Sequence, residues 1–251
     1  MTNLENTDSQ EQDQKVVPIR PGIKNEKLKI VYLYKDYGPD IVHPATQKLC
    51  QEDLKIALAY FRRSCSKTYP DCDFLVCSTE AKFEEFLRGR AQVYAQARRE
   101  YRGPMMFLDI DVLAYYPVPK DFWSGDWDIA LTKSTADWPL MQFNEGVFFA
   151  NDSQGAQQFI NVYADAANKI SKGLADFPGG WWVTQLALTH PYEATKHTVN
   201  IKILDHDKFN FIPDKPIATN AYFIHFKGDR KRLMKQYLAG LLGTDYVDLV
   251  K

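Results

Sequence analysis

Short, densely apolar runs alternate along the chain with longer stretches in which apolar residues return every three or four positions. The runs at 28–34 (LKIVYLY), 73–78 (DFLVCS), 105–118 (MMFLDIDVLAYYPV), 128–132 (DIALT), 146–150 (GVFFA), 201–204 (IKIL) and 222–226 (YFIHF) predict buried strands. Leu54, Leu58, Phe61 and Cys65 recur at helical spacing and predict a helix over about 46–66. Residues 80–87 and 91–101 read as helical pieces parted at Gly89. Phe159, Val162, Tyr163, Ala166 and Ile170 fall on one face of a helix at 154–172. The turn Pro178-Gly179-Gly180 precedes a helix at 181–189, and a basic helix at 229–241 closes the pattern. This alternation, with no internal repeat and no long linker, predicts an α/β fold with a mixed, mainly parallel central sheet flanked by helices.

Residues 1–27 lack aromatics and are rich in Asn, Gln, Asp, Glu and Lys. They cannot bury enough apolar surface to order alone and read as a disordered polar tail. Residues 28–251 read as a single domain, long enough to bury a substantial core.

Composition narrows the function mainly by exclusion. The formal net charge is −1, so the molecule as a whole has no electrostatic pull toward nucleic acid or anionic membrane. The four cysteines, Cys50, Cys65, Cys72 and Cys77, form no C-x-x-C pair and read as free thiols in a reducing compartment. No apolar stretch reaches the length of a membrane span, so the expected location is cytoplasmic.

The chemistry gathers at 105–118. Asp109 and Asp111 alternate along a predicted strand end and are expected to share a face, where two carboxylates repel unless a cation lies between them. Oxygen ligands suit a hard divalent ion, Mg²⁺ or Mn²⁺, shared with a phosphate. The turn after the first strand, Lys35-Asp36-Tyr37-Gly38-Pro39, lies where α/β sheets open to ligands. There is no G-x-G-x-x-G after the first strand, no P-loop and no G-x-S-x-G elbow. A phosphatase with Asp109 as nucleophile is disfavoured, because such a motif normally closes the first strand and here two strands precede it.

Four motifs in order carry a resemblance: FLDIDVL, then FNEGVFFAN at 143–151, WWVTQLAL at 181–188, and HFKGDRK at 225–231. Together they resemble the family 8-like glycosyltransferases, which use a nucleotide-sugar donor on a GT-A fold. The resemblance implies that Asp109 and Asp111 bind Mn²⁺ or Mg²⁺, with Asp109 also touching the ribose side of the donor, expected to be a UDP-sugar. It implies that His225 is the third metal ligand, since His225, Gly228 and Lys231 match the family's His-x-x-Gly-x-x-Lys arrangement. Gly228 is expected to let the backbone approach the diphosphate, and Lys231 to neutralise its charge.

Asn144 and Gly146 match the segment that lines the sugar pocket, but Glu145 stands where a small residue is usual. Gln185 is expected beneath the sugar ring, and Thr184 replaces the usual Asp before it. Of the adjacent Arg98 and Arg99, Arg98 is expected to reach the donor. Lys35 and Tyr37, with Asp36, are candidates for holding the nucleoside base. Trp138, Trp181 and Trp182 are candidates for a sugar platform, while Trp123 and Trp127 fit core packing. Transfer with retention of configuration follows from the resemblance; an inverting enzyme would need a base such as Glu145 or Asp137. A sugar-nucleotide hydrolase or phosphatase and a non-catalytic nucleotide-sugar-binding protein remain open. The acceptor, whether glycan, lipid-linked saccharide, protein or modified nucleic acid, leaves no signature.

Overall fold

The computed structural model describes residues 27–34, 51–77, 89–135, 139–173 and 183–243. The sequence readings at 1–26, Lys35, Asp36, Tyr37, Cys50, 80–87, Asp137, Trp138, Trp181 and Trp182 lie outside the described residues.

Six strands form the central sheet: β1 (Lys29–Leu33), β2 (Asp73–Cys77), β3 (Met105–Leu108), β5 (Ile129–Lys133), β6 (Phe143–Ala150) and β7 (Ile201–Leu204). Their order is β2-β1-β3-β6-β5-β7. β1 pairs parallel with both β2 and β3, and β5 parallel with β7. Only β6 runs against its neighbours, pairing antiparallel with β3 and β5. The sheet is thus mixed and mainly parallel, as the alternation predicts.

β3 and β6 are buried along their whole length, which is why β3 and the second half of β6 read as unbroken apolar runs rather than alternating ones, while β6 begins earlier than predicted, at Phe143, and takes in the polar Asn144 and Glu145. Successive side chains leave opposite faces. Val31, Met105 and Phe107 enter one core layer, while Ile30, Tyr32, Met106 and Leu108 enter the other. The first layer lies under α2 (Arg90–Glu100, following α1 at Gln51–Thr68) and a long later helix at Gln154–Gly173. Phe107 and Phe148, paired in register across β3 and β6, stack there with ring centroids 4.5 Å apart. Such a pair adds about 0.5–1.5 kcal/mol beyond the area it buries. Trp127 is buried in the opposite layer, against Phe122.

The run at 105–118 is not one strand. β3 ends at Leu108, and a second strand, β4 (Val112–Ala114), leaves the sheet to pair antiparallel with β8 (Phe223–His225). Val112 lies opposite His225 in that two-stranded ribbon. Its far side packs on a third apolar cluster containing Leu113, Ile224, Phe226, Met234 and Leu238. The predicted helix at 229–241 divides into a 3₁₀ turn, Gly228–Leu233, and an α-helix, Met234–Leu242. The predicted helix at 181–189 is shorter, Val183–Ala187, and is followed by a second, Thr189–Thr195.

Candidate functional site

The site is built where β3 stops. Asp109 donates its backbone N–H to Gly146 O on β6 at 3.0 Å, and Val112 N–H returns to Asp109 O at 3.1 Å. Residues 109–112 therefore form a turn at the carboxyl edge of the parallel strands. The two aspartates do not share a face by strand alternation, as the sequence suggests. The turn brings them together instead, and Phe226 N–H bonds Asp111 O at 2.9 Å to tie the turn to the end of β8.

His225 arrives on β8. Its Nε2 lies 3.2 Å from Asp111 Oδ1 and 3.8 Å from Asp109 Oδ2. Its Nδ1 is 2.9 Å from Asn210 Oδ1, close enough to donate to that amide oxygen while Nε2 faces the two carboxylates. One ligand atom from each of Asp109, Asp111 and His225 fits within a mutual spread of 4.8 Å, an arrangement able to hold a metal ion. Two carboxylate oxygens and an imidazole nitrogen are donors that a divalent metal accepts.

The other aspartate oxygens face cations. Arg90 Nη1 lies 2.8 Å from Asp109 Oδ1, and Lys231 Nζ lies 2.7 Å from Asp111 Oδ2. Burial alone would raise the Asp111 carboxyl, but Lys231 and His225 hold it well below the usual carboxylate range. Burial likewise opposes the charges of Arg90 and Lys231, and the facing carboxylates outweigh it in both. For Lys227 burial wins, and its ammonium pKa is lowered despite Asp109, Asp111 and Glu145 nearby.

β6 is deformed where it meets the turn. Leu131 on β5 lies opposite Phe148, but the next residue, Thr132, lies opposite Asn144. Residues 145–147 thus stand outside the ladder with β5, a bulge that Thr132 Oγ1 bridges by donating to Val147 O at 2.9 Å. Asn144 Oδ1 accepts from Gly146 N–H at 2.8 Å and holds the bulge from within. A Cβ on Gly146 would lie 2.2 Å from His225 Cε1 and 3.0 Å from Asp109 Oδ2, so only glycine admits the cluster.

Glu145 is 3% exposed and both its oxygens are engaged. Oε1 accepts from the Tyr163 hydroxyl in a short hydrogen bond, and Oε2 from Thr184 Oγ1 at 2.6 Å. Arg90 Nη1 is 3.3 Å from Oε2. Burial pushes the Glu145 carboxyl above the usual range, with Arg90 opposing it. Gln185 follows Thr184 on the helix at Val183–Ala187 and is itself nearly buried.

The structure thus gathers Asp109, Asp111, His225, Lys231, Asn144 and Glu145, and sets Gly228 beside Lys227 with φ +59 and open space where a Cβ would stand. It does not bring Arg98 there. Arg98 is buried at the far end of β3, donating to Tyr101 O at 2.6 Å, Gly103 O at 2.7 Å and Asp152 Oδ1 at 2.9 Å. Arg90, two turns earlier on α2, is the arginine that lies against Asp109. Sequence reasoning also misses Asn210 and Tyr163.

No protein-family model and no curated protein sequence matches the chain. Solved structures do. One is a glycosyltransferase involved in the glycosylation of the major capsid of PBCV-1, at 13% identity and TM-score 0.52, covering 84% of this chain and 98% of that one. Another is the glycosyltransferase GlyE of Streptococcus pneumoniae TIGR4, at 12% identity and TM-score 0.53, covering 85% of this chain and 61% of that one. At such identities the likeness is one of architecture, and it agrees with the six-stranded mixed sheet: the chain has the GT-A fold of glycosyltransferases.

Proposed function

We propose that this protein is a glycosyltransferase that moves a sugar from a nucleoside-diphosphate donor, UDP-linked, to an acceptor, using Mn²⁺ or Mg²⁺ held by Asp109, Asp111 and His225. The observation that carries this reading is the convergence of those three ligand atoms at the carboxyl edge of a GT-A sheet. When bound, the metal supplies Lewis-acid stabilisation to the departing diphosphate.

The chain's own residues do the rest. Lys231, charged and poised on Asp111, adds a second positive group on the side of Gly228, where the backbone leaves room for phosphate oxygens. Arg90 serves the donor in the part first expected of Arg98. Asn144 and Gln185 line the sugar pocket beside the bulge. Nothing in this reading needs a nucleophile, and the engagement of both Glu145 oxygens supports transfer with retention by front-face substitution rather than attack by that carboxylate. The free thiols of Cys65 and Cys72 support a reducing compartment, the cytoplasm. Among the described residues no helix is long and apolar enough to cross a membrane.

The test is thermal stabilisation by a panel of nucleotide sugars with and without Mn²⁺. UDP-sugars are expected to stabilise only when Mn²⁺ is present, and Asp111→Ala and His225→Ala to abolish the effect. Stabilisation that survives both substitutions sinks the metal assignment. Rapid release of free sugar without acceptor would make the protein a hydrolase instead.

A further inference from the structure

Glu145 stands behind the metal ligands rather than among them, yet one guanidinium nitrogen joins it to them. Arg90 Nη1 lies 2.8 Å from Asp109 Oδ1 and 3.3 Å from Glu145 Oε2, so one guanidinium nitrogen is held between two carboxylates. Arg90 Nε is buried and finds no hydrogen-bond partner among the described residues, so the guanidinium is not locked as a two-pronged fork on either acid. Glu145 is itself fixed by Tyr163 and Thr184, which come from two different helices. A row of polar groups therefore runs from buried Tyr163 and Glu145 through Arg90 to the half-buried Asp109.

Burying a carboxylate is costly unless it is paired, and removing one member of such a pair strands the other. Here the stranded member would be Arg90. With Glu145 neutral, Asp109 becomes its remaining carboxylate partner among the described residues. A guanidinium facing one carboxylate favours two parallel N–H···O bonds, one to each oxygen. That geometry takes up Asp109 Oδ2, the oxygen turned toward His225. Arg90 and a metal would then compete for the same atom.

We propose that Glu145 is a positioning residue that draws Arg90 partly off Asp109, leaving Oδ2 free to ligate the metal. The proposal rests on the reading of Asp109, Asp111 and His225 as metal ligands. It explains why a carboxylate occupies a buried strand position.

The test is Mn²⁺ binding to the full chain without nucleotide, followed by titration calorimetry or by the electron paramagnetic resonance of free Mn²⁺. Glu145→Gln keeps the size and the acceptor oxygen but not the charge, and is expected to weaken Mn²⁺ about tenfold or more. The double variant Arg90→Met/Glu145→Gln removes the competitor and is expected to return the affinity to within roughly threefold of wild type. A purely structural role for Glu145 predicts no such rescue. Circular dichroism checks the fold of each variant. If Glu145→Gln does not fold, Tyr163→Phe loosens only Oε1 and is expected to weaken Mn²⁺ about threefold. Wild-type affinity in Glu145→Gln, or in Tyr163→Phe where that stands in, overturns the proposal, as does a double variant no tighter than Glu145→Gln. A wild-type chain that binds no Mn²⁺ overturns the metal reading itself, and the proposal with it.

Discussion

Replacing Gly146 with alanine tests the geometry of the site with one methyl group. Gly146 lies outside the positive-φ glycines of the chain, so the substitution carries no backbone strain of that kind. Its effect is steric. The new Cβ would sit 2.2 Å from His225 Cε1 and 2.6 Å from Nδ1, whereas carbon atoms rest about 3.5–4.0 Å apart. The imidazole must retreat by roughly an ångström or more. It is buried and tethered to Asn210, so the strain resembles core overpacking, about 1–3 kcal/mol. For a chain of this size that lowers the melting temperature by about 2–4 °C for each kcal/mol. The larger effect falls on the metal, because ligand distances tolerate only about 0.2 Å of error. Wild type in Mn²⁺ at about a hundred times Kd should gain about 2.7 kcal/mol; a hundredfold weaker variant gains only about 0.4. Differential scanning fluorimetry in EDTA and in Mn²⁺ separates the two terms. A Gly146→Ala protein that melts lower in EDTA yet keeps the full Mn²⁺ increment would refute the assignment of His225 as a ligand.

Asn210→Ala removes the partner of His225 Nδ1 and frees the ring to rotate or change tautomer; Mn²⁺ affinity measured by calorimetry should fall about 10–100-fold with the fold intact. Arg98→Met should behave oppositely, costing about 2 kcal/mol of stability in urea unfolding through its lost bonds to Tyr101, Gly103 and Asp152, while Mn²⁺ affinity stays unchanged. A shift in metal affinity there would place Arg98 nearer the site than its contacts do. The Cys72 thiol is pushed up to about 11 by burial, with Asp73 and Asp71 adding to the effect. Its thiolate is scarce at pH 8, so peptide mapping after iodoacetamide should show slow labelling that accelerates toward pH 11. Labelling at pH 8 as fast as an unhindered thiol contradicts that environment.

The sheet strands are legible because most are buried on one or both faces, and burial writes itself as apolar runs. What the runs do not show is where a strand changes sheets. Residues 105–118 read as one strand, yet the two aspartates that interrupt the apolar pattern are the turn at which the chain leaves the sheet. Asp109, Asp111 and His225 are legible as a set because their spacing matches a known arrangement. The arginine beside Asp109 is not, and topology explains why. A helix that feeds a parallel strand runs back along the sheet, so its start, Arg90, lies at the carboxyl edge and its end, Arg98, at the opposite one. At about 1.5 Å per residue the eight positions between them span about 12 Å. Reading direction along the helix, rather than distance from the aspartates in sequence, would have favoured Arg90. Asn210 and Tyr163 leave no comparable trace. The first sits in an unremarked stretch, and the second reads as one more aromatic on the apolar face of its helix.

The ribbon of β4 and β8 joins residues more than a hundred positions apart, with Val112 directly opposite His225. Pairing strands so far apart in sequence raises the contact order, which slows folding. The acidic half and the imidazole half of the cluster are therefore strangers until that ribbon closes. A partly made chain carries the aspartates but has no means of closing a cage around an ion. Competence to bind metal thus requires the β4–β8 ribbon, and a bound ion would act as a rivet, holding the last third of the chain against the middle third.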